Sequence, residues 1–214
     1  MSRHPSAPAR QGRADRTRAA ILAAAERVFA ESGLAGARTD AIAAAAGVNK
    51  ALLYYYFQSK ERLYEAVMEH HLQEFNRVAL EVLAAPGSPP TILLQYVNLH
   101  FDFVSARHRQ ARLFQQMMIG GGQPMQRLVR KYFTPRSRAL RNLLERGIRS
   151  GDFRRVDPFQ TAVSIVGLIV FYFSAAQVLQ WLGHADAYSK TNLQHRKQEV
   201  LEFIRHGLFV NPDS

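Results

Sequence analysis

A short helical stretch of the sequence combines a lysine, a small residue and three successive tyrosines, namely Lys50, Ala51, Tyr54, Tyr55 and Tyr56. Lysine can meet phosphate oxygens or guanine acceptors, tyrosine hydroxyls can bind phosphate, and a small residue lets a backbone approach. Because three successive residues sweep about 200° around a helix, at least one ring must point outward. An aromatic stripe that fills a core is the alternative, but the surrounding pattern favours contact with nucleic acid.

Helix start and stop signals place these residues on the second of two short helices. Thr39 is predicted to cap the first helix, which Gly47 ends, and Asn49 is predicted to cap the second. Leu53 and Phe57 lie four residues apart, so both are expected to face a core. Two short helices joined by a tight turn have the dimensions of a helix-turn-helix.

Longer helices are predicted on both sides of this unit. Upstream, one apolar face ends at Gly33 and is formed by Ile21, Ala24, Ala25, Val28 and Phe29. Downstream, Ser59 is predicted to cap a helix that runs to about Leu83. The amide groups at helix starts bind anions, and Lys60 adds positive charge at this one.

Apolar residues recur at helical spacing along the whole chain, so the protein is predicted to be all-α. After a break rich in Pro and Gly at 86–90, five further helices are expected, at 91–106, 109–118, 124–150, 158–182 and 191–208. Most basic residues between 127 and 155 are expected to form a solvated helical face. An anionic ligand or nonspecific attraction to DNA are the alternatives for this run.

The composition narrows the possible partners. Lys and Arg number 28 against 17 for Asp and Glu, and the net charge of +11 favours nucleic acid or an anionic membrane surface. The uncharged run 161–183 is long enough to cross a bilayer, but its Thr and Gln side chains favour a helix buried in protein instead.

Little in the sequence suggests catalysis or metal binding. The absence of cysteine excludes disulfides and thiol nucleophiles and suits a reducing cytosol. His70 and His71 are adjacent and therefore point to different helix faces, and no HExxH, nucleophile elbow or suggestive carboxylate pair is present. We therefore expect neither an enzyme nor a cofactor.

Residues 38–61, which read RTDAIAAAAGVNKALLYYYFQSKE, resemble the DNA-binding signature of the TetR/AcrR repressors. The order and spacing of Thr, Ile-Ala, Ala-Gly-Val, Leu-Tyr, Phe and Ser-Lys-Glu are all present, and the resemblance is close over residues 16–66. Ala51 stands where the family usually has Gly, and Tyr56 where His or Tyr is usual.

Residues 1–14 carry Arg, Pro and Ser without an apolar stretch and are predicted to be a disordered basic arm. The resemblance implies that a three-helix DNA-binding domain (15–62) and a larger ligand-binding and dimerisation domain (63–214) follow. It implies DNA contacts by Thr39, Asn49, Lys50, Ala51, Tyr54, Tyr55, Tyr56 and Lys60. It also implies an effector cavity lined by Tyr96, His100, Phe103, Phe114, Met117 and Met118, closed by Phe171 and Tyr172. For each cavity residue, an ordinary place in the core is the alternative.

The function that follows from the resemblance is that of a cytoplasmic homodimeric repressor. Its last two helices would form the dimer, and a small, largely apolar effector would release it from near-palindromic double-stranded operator DNA. A regulator of the same fold that no ligand controls, or an activator, is the first alternative. A membrane-associated protein is the second.

Overall fold

The computed structural model describes residues 7–107, 122–183 and 186–212. In these ranges the chain forms α1 (Ala7–Gly36), α2 (Thr39–Ala45), α3 (Lys50–Phe57), α4 (Lys60–Leu83), α5 (Pro89–Ala106), α6 (Gly122–Leu128), a π-helical turn (Val129–Phe133), α7 (Thr134–Ser150), α8 (Pro158–Ser174), α9 (Ala176–Trp181) and α10 (Lys190–Leu208). The prediction of an all-α protein is confirmed. The helix expected at 109–118 lies outside the described residues.

Local caps explain where the short helices begin. The Asn49 side chain accepts a hydrogen bond from the Leu52 amide at 2.7 Å, and Ser59 accepts one from the Arg62 amide at 3.1 Å, as predicted. The prediction that Thr39 is an N-cap is wrong. Thr39 is the first residue of α2, and the extended residue before it is Arg38, whose side chain makes no capping bond.

Helix α1 is longer than the sequence indicated. It begins at Ala7, so residues 7–14 are helical rather than part of a disordered arm. Pro8 lies in the first turn, where a proline costs no helical hydrogen bond, and Thr17 donates to the carbonyl of Arg13 at 2.9 Å. Gly33 interrupts the helix with a φ of 65°, which accounts for the predicted stop.

The helix predicted at 158–182 is divided at Ala175 into helices of 17 and 6 residues. The end of α8 is tied to the following loop, because Tyr172 donates to the carbonyl of Ala187 at 2.8 Å and Tyr188 donates to that of Phe173 at 3.1 Å. Among the described residues, no helix is both long enough and apolar enough to cross a membrane.

Helix α6, the π-helical turn and α7 form one rod, since Leu128 and Thr134 on either side of the turn keep helical backbone angles. Within the turn the hydrogen bonds reach one residue further than in an α-helix. The Thr134 backbone amide accordingly donates to the carbonyl of Val129.

Two clusters of buried residues hold the fold together. The first core contains buried side chains of 21–72 together with Leu128 and Tyr132, and the second core contains buried side chains of 75–209. Helix α4 contributes to both, because its first half packs in the first core and its second half in the second. The helix therefore joins the two parts of the molecule rigidly.

Candidate nucleic-acid interface

The helix-turn-helix is supported from behind by the first core. Leu53 and Phe57 of α3 are buried, as predicted, in the same cluster as Phe29 of α1 and Leu63 of α4. The Phe29 and Tyr64 rings meet edge to face at a centroid distance of 5.0 Å. This packing fixes which face of α3 is turned outward.

The outward face of α3 carries the polar residues that the sequence singled out. Tyr55 is 79% exposed and Tyr54 is 39% exposed, and Lys50 and Ala51 are exposed beside them. Tyr56 is half-buried and meets the edge of the Tyr55 ring at 5.4 Å. A helix of this width with hydroxyl groups and a positive charge outside can enter a DNA major groove.

The charges of this surface are partly paired within the chain. The Lys50 ammonium lies 3.0 Å from an Asp40 carboxylate oxygen, and both side chains are exposed. The Thr39 hydroxyl is nearly buried and lies 3.5 Å from the hydroxyl of Tyr54. A phosphate that approaches Lys50 would therefore compete with one exposed carboxylate, whose hold on the lysine is weak.

A shallow recess beside α3 lies where α2 and α4 begin, lined by Arg38, Thr39, Tyr54, Ser59 and Lys60 among others. Lys60 donates to the carbonyl of Ala37 at 3.1 Å, so its ammonium also ties the end of α1 to the start of α4. The pKa of Glu61 is lowered, first by its own backbone amide and then by the Ser59 hydroxyl. The helix start thus stabilises an anion, as a phosphate site requires.

The residues predicted to line an effector cavity are only partly together. The rings of His100 and Phe103 lie 4.7 Å and 4.5 Å from that of Phe75, and Tyr96 is buried beside His100. Phe171, in contrast, is 70% exposed. The Tyr172 hydroxyl instead donates a hydrogen bond to a carbonyl in the loop after α9. Phe114, Met117 and Met118 lie outside the described residues.

Arg136 is a residue that the sequence reasoning missed. The basic residues between 127 and 155 are mostly exposed, as expected, but the Arg136 side chain is buried with 6% of its surface exposed. A signal was present, because Arg136 shares one helical face with four buried residues, Leu140, Leu143, Leu144 and Gly147. An arginine on an apolar face is a candidate for a buried charge.

Other clusters of charged groups do not form a second chemical centre. Within the described ranges, no group of three or more His, Asp or Glu side chains is placed to hold a metal ion. His71 pairs instead with Glu26 at 3.3 Å. The arrangement as a whole is suited to binding nucleic acid.

A helix-turn-helix on a packed core, with a basic and aromatic face outside, defines a DNA-binding regulator. Residues 21–67 match the family model of the bacterial regulatory proteins of the tetR family, and residues 89–204 match that of the tetracyclin repressor-like C-terminal domain. The chain belongs to the TetR family of transcriptional regulators, whose members are DNA-binding proteins and not enzymes.

Known relatives agree with this assignment. The transcriptional repressor NicS of Pseudomonas putida is 37% identical over 94 residues, which are 44% of this chain and 44% of NicS. The transcriptional regulator RutR of Escherichia coli is 31% identical over 193 residues, 88% of this chain and 89% of RutR. The fold also matches FadR of Bacillus subtilis, solved with stearoyl-CoA, with a TM-score of 0.71 at 22% identity over 86% of this chain and 96% of FadR.

Proposed function

We propose that the protein is a homodimeric repressor that a small, largely apolar effector releases from a near-palindromic operator in the cytoplasm. DNA binding is supported above all by the outward face of α3. Lys50, Tyr54 and Tyr55 are exposed there, while the opposite face of the helix is buried in the first core. Thr39, Asn49, Ala51, Tyr56 and Lys60 surround this face and are proposed as further DNA contacts. The name of the relative NicS, a repressor, supports the direction of regulation.

An exposed apolar surface on the last helices supports the dimer. It comprises Phe159, Val163 and Phe171 on α8, Trp181 on α9 and Phe203 on α10. On α8, Gly167 lies between Val163 and Phe171, and a Cβ added there would meet nothing within 4 Å. An open glycine within an apolar stripe leaves room for a helix of a second copy.

The gating part rests on contacts between the start of the rod and the first half of α4. Arg127 forms two hydrogen bonds of 2.9 Å with Glu65 of α4, and Lys131 and Tyr132 both bind the Glu69 carboxylate. A ligand that shifts the rod formed by α6, the π-helical turn and α7 would therefore move α4 and the attached DNA-binding helices. Such a shift changes the spacing of two recognition helices in a dimer.

Operator binding tests this proposal directly. An operator would be selected from random DNA and its affinity measured by fluorescence anisotropy at several salt concentrations. We expect a log-log salt slope of several units, because each phosphate contact contributes about 0.9. Tyr54→Ala should weaken binding to all sequences, and Lys50→Ala should also relax base preference. Lys190→Ala, which removes an exposed lysine of α10, is the matched control.

Three results would contradict parts of the proposal. Unchanged affinity in both variants would remove α3 from the interface. The proposed dimer surface would be wrong if the protein sedimented as a monomer at micromolar concentration. It would also be wrong if Phe171→Asp left the mass of the sedimenting dimer unchanged. Increased transcription from the selected operator would identify an activator rather than a repressor.

A further inference from the structure

A positively charged side chain is enclosed in the second core. The guanidinium of Arg136 lies over the ring of Phe75 at 4.7 Å and over that of Phe133 at 5.0 Å. Its Nη1 atom is buried and has no hydrogen-bond partner among the described residues. Buried charges in proteins are normally paired, because an unpaired charge loses its hydration without compensation.

Among the described residues, no acidic side chain pairs with this guanidinium. The sequence contains neither Asp nor Glu between Asp102 and Glu145. Asp102 is engaged elsewhere, since both of its carboxylate oxygens accept hydrogen bonds of 2.9 Å from Lys197 of α10. Among the described groups, the one that favours the charged form of Arg136 is the neutral hydroxyl of Tyr96, which forms a hydrogen bond with the guanidinium.

A second polar group beside Arg136 also lacks a partner. The ring of His100 is 4% exposed, and its Nδ1 atom has no hydrogen bond within the described part of the chain. Burial and the adjacent Arg136 lower the pKa of His100 to about 3, so the ring is neutral and can still donate one hydrogen bond. The group as a whole therefore carries a single positive charge.

We propose that Arg136, His100 and Tyr96 bind the carboxylate group of a small monocarboxylate effector at the junction of α4, α5 and α7. Aromatic rings lie over the guanidinium and Tyr96 binds part of its edge, so the unpaired Nη1 on that edge remains for a ligand. Such an edge presents parallel N–H groups that match the two oxygens of a carboxylate. The proposal names the ligand class of the effector site and so rests on the proposed ligand-controlled function.

The charge and the walls of the site favour this ligand over other anions. One fixed positive charge balances one carboxylate, whereas a phosphate dianion would need a second cation. The half-buried ring of Phe103, which stacks on that of Phe75 at 4.5 Å, offers apolar surface for the rest of the ligand. Arg136 also lies in the first turn of helix after the π-helical turn, whose Lys131 and Tyr132 contact Glu69. A ligand that displaces Arg136 therefore acts next to the contacts with α4.

The test compares acids with their neutral amides on the full chain. Octanoate and phenylacetate would be titrated against octanamide, phenylacetamide and inorganic phosphate by calorimetry, with thermal denaturation as a second readout. We expect the two carboxylates to bind and the others to bind at least tenfold more weakly. Arg136→Met should reduce carboxylate affinity roughly 10- to 100-fold, the size expected for a lost charge-assisted hydrogen bond.

Two further variants separate binding from folding. Arg138→Met removes an exposed arginine two residues away and should leave carboxylate affinity unchanged. Arg136→Lys keeps the charge but loses the planar edge, so we expect an intermediate affinity. Circular dichroism should show Arg136→Met to be folded, because an apolar side chain can replace a buried unpaired charge.

Several results would overturn the carboxylate site. They are equal affinity of Arg136→Met and the unchanged chain for carboxylates, tighter binding of phosphate, or binding of amides alone. If an amide released the operator while carboxylates failed to bind, ligand control would stand and the carboxylate site would not. If carboxylates bound through Arg136 without changing operator affinity, the site would stand and control by this ligand would not.

Discussion

The two cores differ in how far their buried polar groups have partners. In the first core, the hydroxyl of the buried Thr39 faces that of Tyr54, and the buried Nε2 of His71 lies 3.3 Å from a Glu26 carboxylate oxygen. The second core encloses Asn76, His100 and Arg136, and each has a buried atom without a partner among the described residues. Unsatisfied polar groups weaken a core. The polar groups of the first core thus face partners within the chain, whereas those of the second core would be stabilised by the ligand proposed above.

The largest loss of stability in the second core is expected from a substitution at Gly147. A Cβ at this buried position would overlap the ring of Phe153, so Gly147→Ala should lower the free energy of unfolding by about 2–3 kcal/mol. Gly12→Ala is the matched control in α1, where a Cβ meets nothing within 4 Å and stability should rise by up to about 1 kcal/mol. Urea denaturation measures both values. If both substitutions changed the free energy of unfolding equally, the packing around Gly147 would not be tight.

The pH dependence of stability should separate the cores further. The pKa of His100 is about 3 in the folded protein against 6.5 for the free group, so the unfolded chain takes up the proton first as the pH falls below 6.5. At pH 5 this should cost about 2 kcal/mol of stability. Denaturant midpoints between pH 7 and 5 give the slope.

His71 provides the comparison for that slope. Burial lowers its pKa, but Glu26 opposes the shift, so His71→Leu should remove less of the pH dependence than His100→Leu. A larger change in His71→Leu would mean that His100 is not the main group that resists protonation.

Helix caps allow a weaker test in both regions. Asn49→Ala should lower the free energy of unfolding by about 1 kcal/mol, because the Leu52 amide loses its 2.7 Å partner. Ser189 caps α10 through a longer bond of 3.3 Å to the Asn192 amide, so Ser189→Ala should cost less. Thermal and urea denaturation can rank the two. The reverse order would indicate that contacts in the folded chain, and not the caps, decide these helix starts.

The smallest effect on stability is expected at the contact between the π-helical turn and α4. The Lys131 side chain is 64% exposed and that of Glu69 is 35% exposed, so Lys131→Met should change the unfolding free energy little. It should instead reduce, several-fold, the ratio of operator affinities without and with a bound effector. Lys190→Met is the control. If that ratio stayed the same, the salt bridges would not transmit the effect of a ligand.

The sequence predicted the DNA-binding part better than the rest, because its signals are local. Asn49, Ser59 and the spacing of Leu53 and Phe57 each determine a feature within one helical turn of themselves. The prediction that Thr39 caps α2 failed because Arg38 adopts the extended backbone of the N-cap position instead. The family motif that the sequence displays likewise lies where these short-range signals are, in residues 38–61.

Features that depend on distant residues could not be predicted in this way. The break at Ala175 carries no Gly or Pro and coincides with tyrosine contacts to a later loop. The burial of Arg136 depends on rings from α4 and from the π-helical turn, although its helical face offered a hint. The exposure of Phe171 could not be predicted, because it lies in an uncharged run. Such a run indicates burial, but it does not show whether the helix packs within its own chain or against another.

A π-helical turn contains one residue more than the α-helix that it interrupts. Deletion of a single residue between Val129 and Phe133 could thus leave an unbroken α-helix in which later positions, Arg136 among them, keep nearly their orientation, because a π-helical turn rotates the chain less per residue than an α-helix. The same deletion within a regular α-helix would rotate every later position by about 100°. In this rod the turn therefore allows a change in length by one residue without a change in the direction in which Arg136 points.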